Sequence, residues 1–191
     1  MLIIDWTPIT KTEEIPPMGD KLREHLKNFK GSVKHASCSA WNLLYDILLS
    51  NELPVGDVAF TLIGKPYFSD LDIYFSISHS HSICAVAVSD HPVGVDVEII
   101  KAAYSPHLIK RSLSDQEKTG FDSDFTRIWC RKEAVAKMTG EGITGYPRNI
   151  ETTEYKFTER QIEYDGQKYW VISTIEAAHE GHSHNRHLFL T

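Results

Sequence analysis

The rhythm of apolar and polar positions changes several times along this chain, and each change marks an element. Leu2–Trp6 is an apolar, β-prone run that predicts a first strand. Pro16-Pro17 breaks the chain after it. Met18, Leu22, Leu26 and Phe29 then recur at helical spacing, with Lys21, Arg23, Lys27 and Lys30 on the other faces, and Gly31 predicts the end of that helix. A second helix is predicted over His35–Leu49, where Ala40, Trp41, Leu44, Tyr45, Ile47 and Leu48 form a stripe broad enough for burial. Val58–Ile63 reads as a strand, and Gly64-Lys65-Pro66 as the turn after it. Ile73–Glu98 follows as three short strands, with Asp90-His91-Pro92 at the last turn.

Past Glu98 the period becomes helical. Ser105-Pro106 predicts an N-cap with proline at the first helical position, and Leu108, Ile109 and Leu113 supply the apolar face. Ser114 to Glu117 is a capping box opening a short helix. Asp122 and Asp124 place acids where a helix dipole favours them, ahead of a helix that carries Trp129 and Glu133 and closes at Gly140. Four strand-like runs end the chain: Glu154–Glu159, Gln161–Gly166, Lys168–Ala177 and Arg186–Thr191, with Asp165-Gly166 as a hairpin turn. Each half therefore puts helices before a small sheet. The expectation is an α+β fold of two similar lobes, residues 1–100 and 101–191, packed as one unit because no linker separates them.

Composition narrows the class without naming it. With 41% hydrophobic and 24% charged residues the chain is globular rather than disordered. No apolar run is long enough to cross a membrane, and the N-terminus lacks the basic region of a signal peptide. Cys38, Cys84 and Cys130 lie far apart without a CxxC, which argues against a disulfide framework and predicts a reducing cytoplasm. A net charge of −6 speaks against nucleic acid as a partner. The charge is uneven: residues 1–100 hold 7 Lys/Arg against 13 Asp/Glu, residues 101–191 hold 13 against 13. The second half can thus present a basic patch to an acidic partner.

Candidate chemistry sits in the middle of the chain. In Gly94–Glu98, GVDVE, strand alternation turns Asp96 and Glu98 to one face and Val95 and Val97 into the core. Two neighbouring carboxylates repel unless a cation or proton lies between them, and an all-oxygen ligand set suits Mg²⁺ shared with substrate phosphates. On the spacing alone, two surface acids on a solvated edge strand is the plainer reading. Trp129, Glu133 and Lys137 follow at i, i+4, i+8 along one helix face, which an ordinary Glu–Lys pair would also explain. His79 after a strand and Lys65 in a turn would, taken singly, be ordinary polar loop residues.

The joint pattern is more specific. GKPYF from Gly64, FSISHS from Phe75, GVDVE from Gly94 and WCRKEAVAKMTGEGI from Trp129, in that order, resemble the 4'-phosphopantetheinyl transferase superfamily, in its larger surfactin-type class. The resemblance runs from about Gly64 to Ile143 and extends more weakly to Leu108–Glu117. It implies a pseudo-twofold pair of α+β lobes with coenzyme A in the cleft between them. It also implies transfer of the 4'-phosphopantetheine arm of coenzyme A to a serine of an acyl or peptidyl carrier protein, releasing adenosine 3',5'-bisphosphate. Carried over residue by residue, Asp96, Glu98 and Glu133 are the expected Mg²⁺ acids and Glu133 the base for the carrier serine. His79 and Lys137 are expected on phosphate oxygens, Lys137 also as proton donor to the leaving group, and Ser78, Lys65 and Pro66 at the nucleotide end. A monomer is expected, since two lobes of one chain form the cleft, with Lys110, Arg111, Arg127 and Arg131 as candidates for carrier docking.

Two departures from that family pattern stand out. No arginine lies in His35–Leu49, where the family uses one for the nucleotide; Lys34, His35, Lys27 and Lys30 are the nearest substitutes. His81 stands where the family often has glycine. The cluster His179, His182, His184 and His187 does not match HExxH and reads as a polar loop rather than a metal site. Two other functions compete: a non-catalytic coenzyme A or nucleotide-binding homologue, and a divalent-metal hydrolase on the same acids, which would leave GKP and SHS unexplained.

Overall fold

Four layers stack through the molecule, helix on sheet on sheet on helix. The computed structural model describes residues 1–143 and 147–176, so the histidine cluster and the strand expected at Arg186–Thr191 lie outside the described residues. The first sheet joins β1 (Leu2–Pro8), β5 (Ile83–Ser89) and β4 (Tyr74–Ser80), antiparallel in the order β1-β5-β4. The second joins β6 (Val93–Ile99), β8 (Gln167–Ile175) and β7 (Phe157–Tyr164), antiparallel in the order β6-β8-β7. A two-stranded ribbon, β2 (Val58–Phe60) with β3 (Pro66–Phe68), stands beside the first sheet. The helices are α1 (Asp20–Leu26), α2 (Gly31–Ser50), α3 (Pro106–Ser112), α4 (Asp115–Thr119) and α5 (Phe125–Thr139).

Strand alternation makes the layers. Ile83, Ala85 and Ala87 of β5 meet Val93, Val95, Val97 and Ile99 of β6 and Tyr169 and Val171 of β8 in the core between the sheets. The other face of β5, Cys84, Val86 and Val88, packs with Met18, Leu22, Leu26, Trp41, Leu44 and Leu48 from α1, α2 and the segment before them. The opposite face of β6 turns to α5. Gly94 is the point of closest approach: a Cβ there would lie 1.8 Å from the Ala134 carbonyl oxygen. The helix rests on bare backbone, which is why GVDVE begins with glycine.

Local signals read from the sequence reappear as local structure. Ser105 accepts from the Leu108 amide, Ser114 and Glu117 form the capping box, Asp124 accepts from the Arg127 amide, and Gly140 ends α5 at φ 81°. Asp165 and Gly166, both at positive φ, make the β7–β8 turn. Four expectations need correction. Gly31 opens α2 instead of ending α1, which stops at Leu26. Val58–Ile63 is strand only to Phe60, and Pro66 starts β3. The two runs at 154–166 are one strand, β7. Finally, β6 pairs with β8, so this strand sides with the second half although a division at residue 100 assigns it to the first. Its alternation showed which face is buried, but not which strand it pairs with.

Gly94→Ala should destabilise the protein by about 3 kcal/mol or more, because backbone on both sides must move to admit one methyl group. Urea denaturation of the variant against wild type measures this; a loss under about 0.5 kcal/mol would show that the helix–strand contact is looser than described.

Candidate functional site

β4 and β6 are the edge strands where the two sheets meet, and serines hold that seam. The sequence FSISHS puts Ser76, Ser78 and Ser80 on one face of β4. The Val95 amide donates to Ser76 Oγ at 3.0 Å and the Val97 amide to Ser78 Oγ at 3.3 Å. Ser78 Oγ donates to Asp96 Oδ1 at 2.7 Å, and Ser80 Oγ to Glu98 Oε2 at 3.2 Å. Side chains thus satisfy backbone donors that a ladder would otherwise pair.

Asp96 is 3% exposed. From α5, Lys137 Nζ reaches Asp96 Oδ1 and Ser78 Oγ, each at 2.7 Å. The other carboxylate oxygen, Oδ2, is buried without a hydrogen-bond partner among the described residues. Glu133, one turn before Lys137, lines a cleft of about 410 Å³ with Lys65, Pro66, Ser76, Ile77 and Lys137. Burial, and then the Asp96 charge, push the carboxyls of both Glu98 and Glu133 above the usual range. The buried Cys130 thiol, behind Asp96, is pushed up by burial first and by Asp96 second.

Among the expected site residues, Ser78, Asp96 and Lys137 are thus in direct contact, with Glu98 and Glu133 coupled to Asp96 through its charge. The same alternation that turns Ser78 toward Asp96 turns His79 away from it, to an exposed position at the strand end. His79 still feels the site: desolvation, and then the Lys137 charge, lower its pKa. Two expected nucleotide contacts are engaged elsewhere. The Ser78 hydroxyl is buried between Asp96 and Lys137, and Lys65 Nζ donates to the Met138 carbonyl at 2.7 Å. Lys34 and Lys27 are paired with Glu13 and Glu24, and Arg127 and Arg131 both clamp Glu159. His81 lies in the β4–β5 turn at φ 53°, a conformation glycine adopts without strain, so its position makes a backbone demand.

Sequence reasoning missed Ser76, Ser80 and a buried ion pair. Lys132 is fully buried and lies 2.7 Å from Glu117, whose carboxylate also accepts from the Ser114 amide and the Thr152 hydroxyl. The period-two serines were a visible signal for the first two. Nothing local connects residue 117 to residue 132.

No group of three or more acid, histidine or cysteine side chains among the described residues is close enough together to hold a metal ion. Asp96, Glu98 and Glu133 are nevertheless oxygen donors of the kind that Mg²⁺ takes. Asp96 carries an unpaired buried oxygen, and Glu98 and Glu133 resist ionisation beside it, a strain that a divalent cation relieves.

The family described as the 4'-phosphopantetheinyl transferase superfamily matches residues 92–185. The 4'-phosphopantetheinyl transferase Sfp of Bacillus subtilis is 28% identical over 153 residues, 67% of this chain and 68% of that protein. The transferase gsp of Aneurinibacillus migulanus is 34% identical over 87 residues, 42% of this chain and 36% of that protein. AcpT of Salmonella typhimurium is 32% identical over 123 residues, 56% of this chain and 60% of that protein. The chain therefore spans from about a third to about two thirds of the length of these curated relatives. The matched segment and these relatives make residues 92–185, which carry Asp96, Glu98, Glu133 and Lys137, similar to the 4'-phosphopantetheinyl transferase superfamily.

Proposed function

We propose that this protein transfers the 4'-phosphopantetheine arm of coenzyme A to a serine hydroxyl of an apo acyl or peptidyl carrier protein, with Mg²⁺ as cofactor and adenosine 3',5'-bisphosphate as the other product. One observation carries the reading: a cleft walled by Glu133 and Lys137 on α5, by Lys65 of the β2–β3 turn and by Pro66 at the start of β3, in which Lys137 also holds the buried Asp96. Asp96, Glu98 and Glu133 would hold Mg²⁺, which when bound neutralises charge on the pyrophosphate and on the leaving phosphate.

The chain's own groups do the rest. Glu133 takes the proton of the carrier serine; its upward-shifted pKa makes it a stronger proton acceptor than an ordinary carboxylate. Lys137, one turn away, holds phosphate oxygens and donates a proton to the departing bisphosphate. His79 supplies hydrogen bonds at the strand end. Ser78 keeps Asp96 in place and Pro66 lines the nucleotide end. The carrier meets the second half, where Lys110 and Lys118 border an apolar groove formed by Pro106, Ile109, Leu113 and Phe121. The protein works as a monomer in the cytoplasm; the free, buried Cys38, Cys84 and Cys130 suit a reducing medium. No helix among the described residues is long and apolar enough to cross a membrane.

A second reading, a homologue that binds coenzyme A without transferring it, draws on one contact: Lys137 already compensates the Asp96 charge. One assay separates the two. An apo carrier protein incubated with coenzyme A, Mg²⁺ and this protein should gain the mass of one phosphopantetheine. Unmodified carriers across a panel, with coenzyme A bound, would establish the second reading instead. Glu133→Gln should slow transfer by about 10² to 10⁴-fold with the fold intact, and a fully active variant would remove Glu133 as the base.

The same variant tests the electrostatics. The fold raises the Glu133 pKa above its unfolded value, so ionisation opposes folding. That penalty is absent below the ordinary glutamate range, about 4.3, and complete above the raised value. With a chelator present, Glu133→Gln should melt roughly a few degrees higher than wild type at neutral pH, and the gap should close in acid. Equal melting temperatures at both pH values would overturn this account.

A further inference from the structure

We propose that Lys65 is a positioning residue: by holding the Met138 carbonyl it fixes the last turn of α5, and with it the placement of Lys137 and Glu133 on the cleft wall. The last four carbonyls of a helix have no partner within it. In α5 the Gly140 amide takes the Ala136 carbonyl at 2.9 Å, and Lys65 Nζ, from the other side of the cleft, takes that of Met138 at 2.7 Å. A cation at a helix C-terminus is also favoured by the helix dipole.

The lysine is mounted to do this. Its turn is closed by the Thr61 amide on the Lys65 carbonyl at 2.9 Å, the Gly64 amide on the Thr61 carbonyl at 2.9 Å and the Lys65 amide on Thr61 Oγ1 at 3.0 Å. Its stem lies against the helix end, where a Cβ on Gly140 would be 3.2 Å from Lys65 Cδ. Burial lowers its pKa, so the Met138 carbonyl compensates a charge that has lost water. Upstream, Gly94 seats the helix at Ala134. Lys65 therefore ties down the turn just beyond that seat, and Lys137 is the residue next to the carbonyl it holds.

A nucleotide-contacting lysine and a positioning lysine behave differently on substitution. In Lys65→Met, the amides of Met138, Thr139 and Gly140 should exchange hydrogen about tenfold faster than in wild type, because the last turn loses its tie. At saturating coenzyme A, kcat should fall about 10- to 100-fold through misplacement of the catalytic groups, while the Kd for adenosine 3',5'-bisphosphate changes less than about threefold. Lys65→Arg, which keeps a charged donor, should restore the slow exchange and most of kcat. Unchanged exchange in Lys65→Met overturns the proposal, as does a bisphosphate Kd raised about tenfold or more with kcat intact. The kcat arm rests on the transferase reading; the exchange arm does not. A wild-type protein without transferase activity, whose Lys65→Met variant still loosens the helix end, would refute that reading and sustain this one.

Discussion

A buried carboxylate organises this molecule. Asp96 sits at the junction of β6, β4 and α5, almost out of contact with water. Burying a charge is expensive unless it is paired and hydrogen-bonded. The compensating groups come from the two other elements: the Ser78 hydroxyl from the first sheet and the Lys137 ammonium from the helix behind the second. Neither sheet alone, nor α5 without both, satisfies Asp96. The Asp96 contacts are therefore complete only where β4, β6 and α5 are packed together.

That compensation is incomplete, and the shortfall is where chemistry is available. Lys137 answers one oxygen of Asp96, while the other has no hydrogen-bond partner among the described residues and burial raises the pKa of the neighbouring glutamates. Groups arranged purely for stability would not be left so. The fold tolerates the strain because it is anchored elsewhere in the second half. Lys132 and Glu117 pair in full burial beside the Ser114 capping box, and Arg127 and Arg131 share Glu159. Those two arginines, expected from the sequence to meet a carrier protein, are both paired with Glu159.

The family match begins at residue 92 and so covers β6, α5 and the acids they carry. The first half contributes differently. Its serines stitch the seam, and its β2–β3 turn reaches across to the end of α5. These contributions are positional: they set where the acids and the lysine stand rather than supplying further acids.

The sequence by itself determined whatever is governed by neighbours along the chain. Helix caps at Ser105, Ser114 and Asp124, the stop at Gly140, the turn at Asp165-Gly166 and the shared face of Asp96 and Glu98 are all set within a few residues, by hydrogen bonds and alternation that need no distant partner. The motif order was likewise enough to recognise the family. Tertiary structure decided everything that depends on pairing across the chain. It gave β6 to β8, joined Lys132 to Glu117, turned His79 away from the acid that Ser78 holds, and set Lys65 on a carbonyl 73 residues away. No periodicity contains such facts, because a side chain's partner is fixed by how sheets and helices pack. At His81 the backbone is left-handed, a conformation that glycine adopts without strain, and the dihedral angle shows that demand where the letter could not.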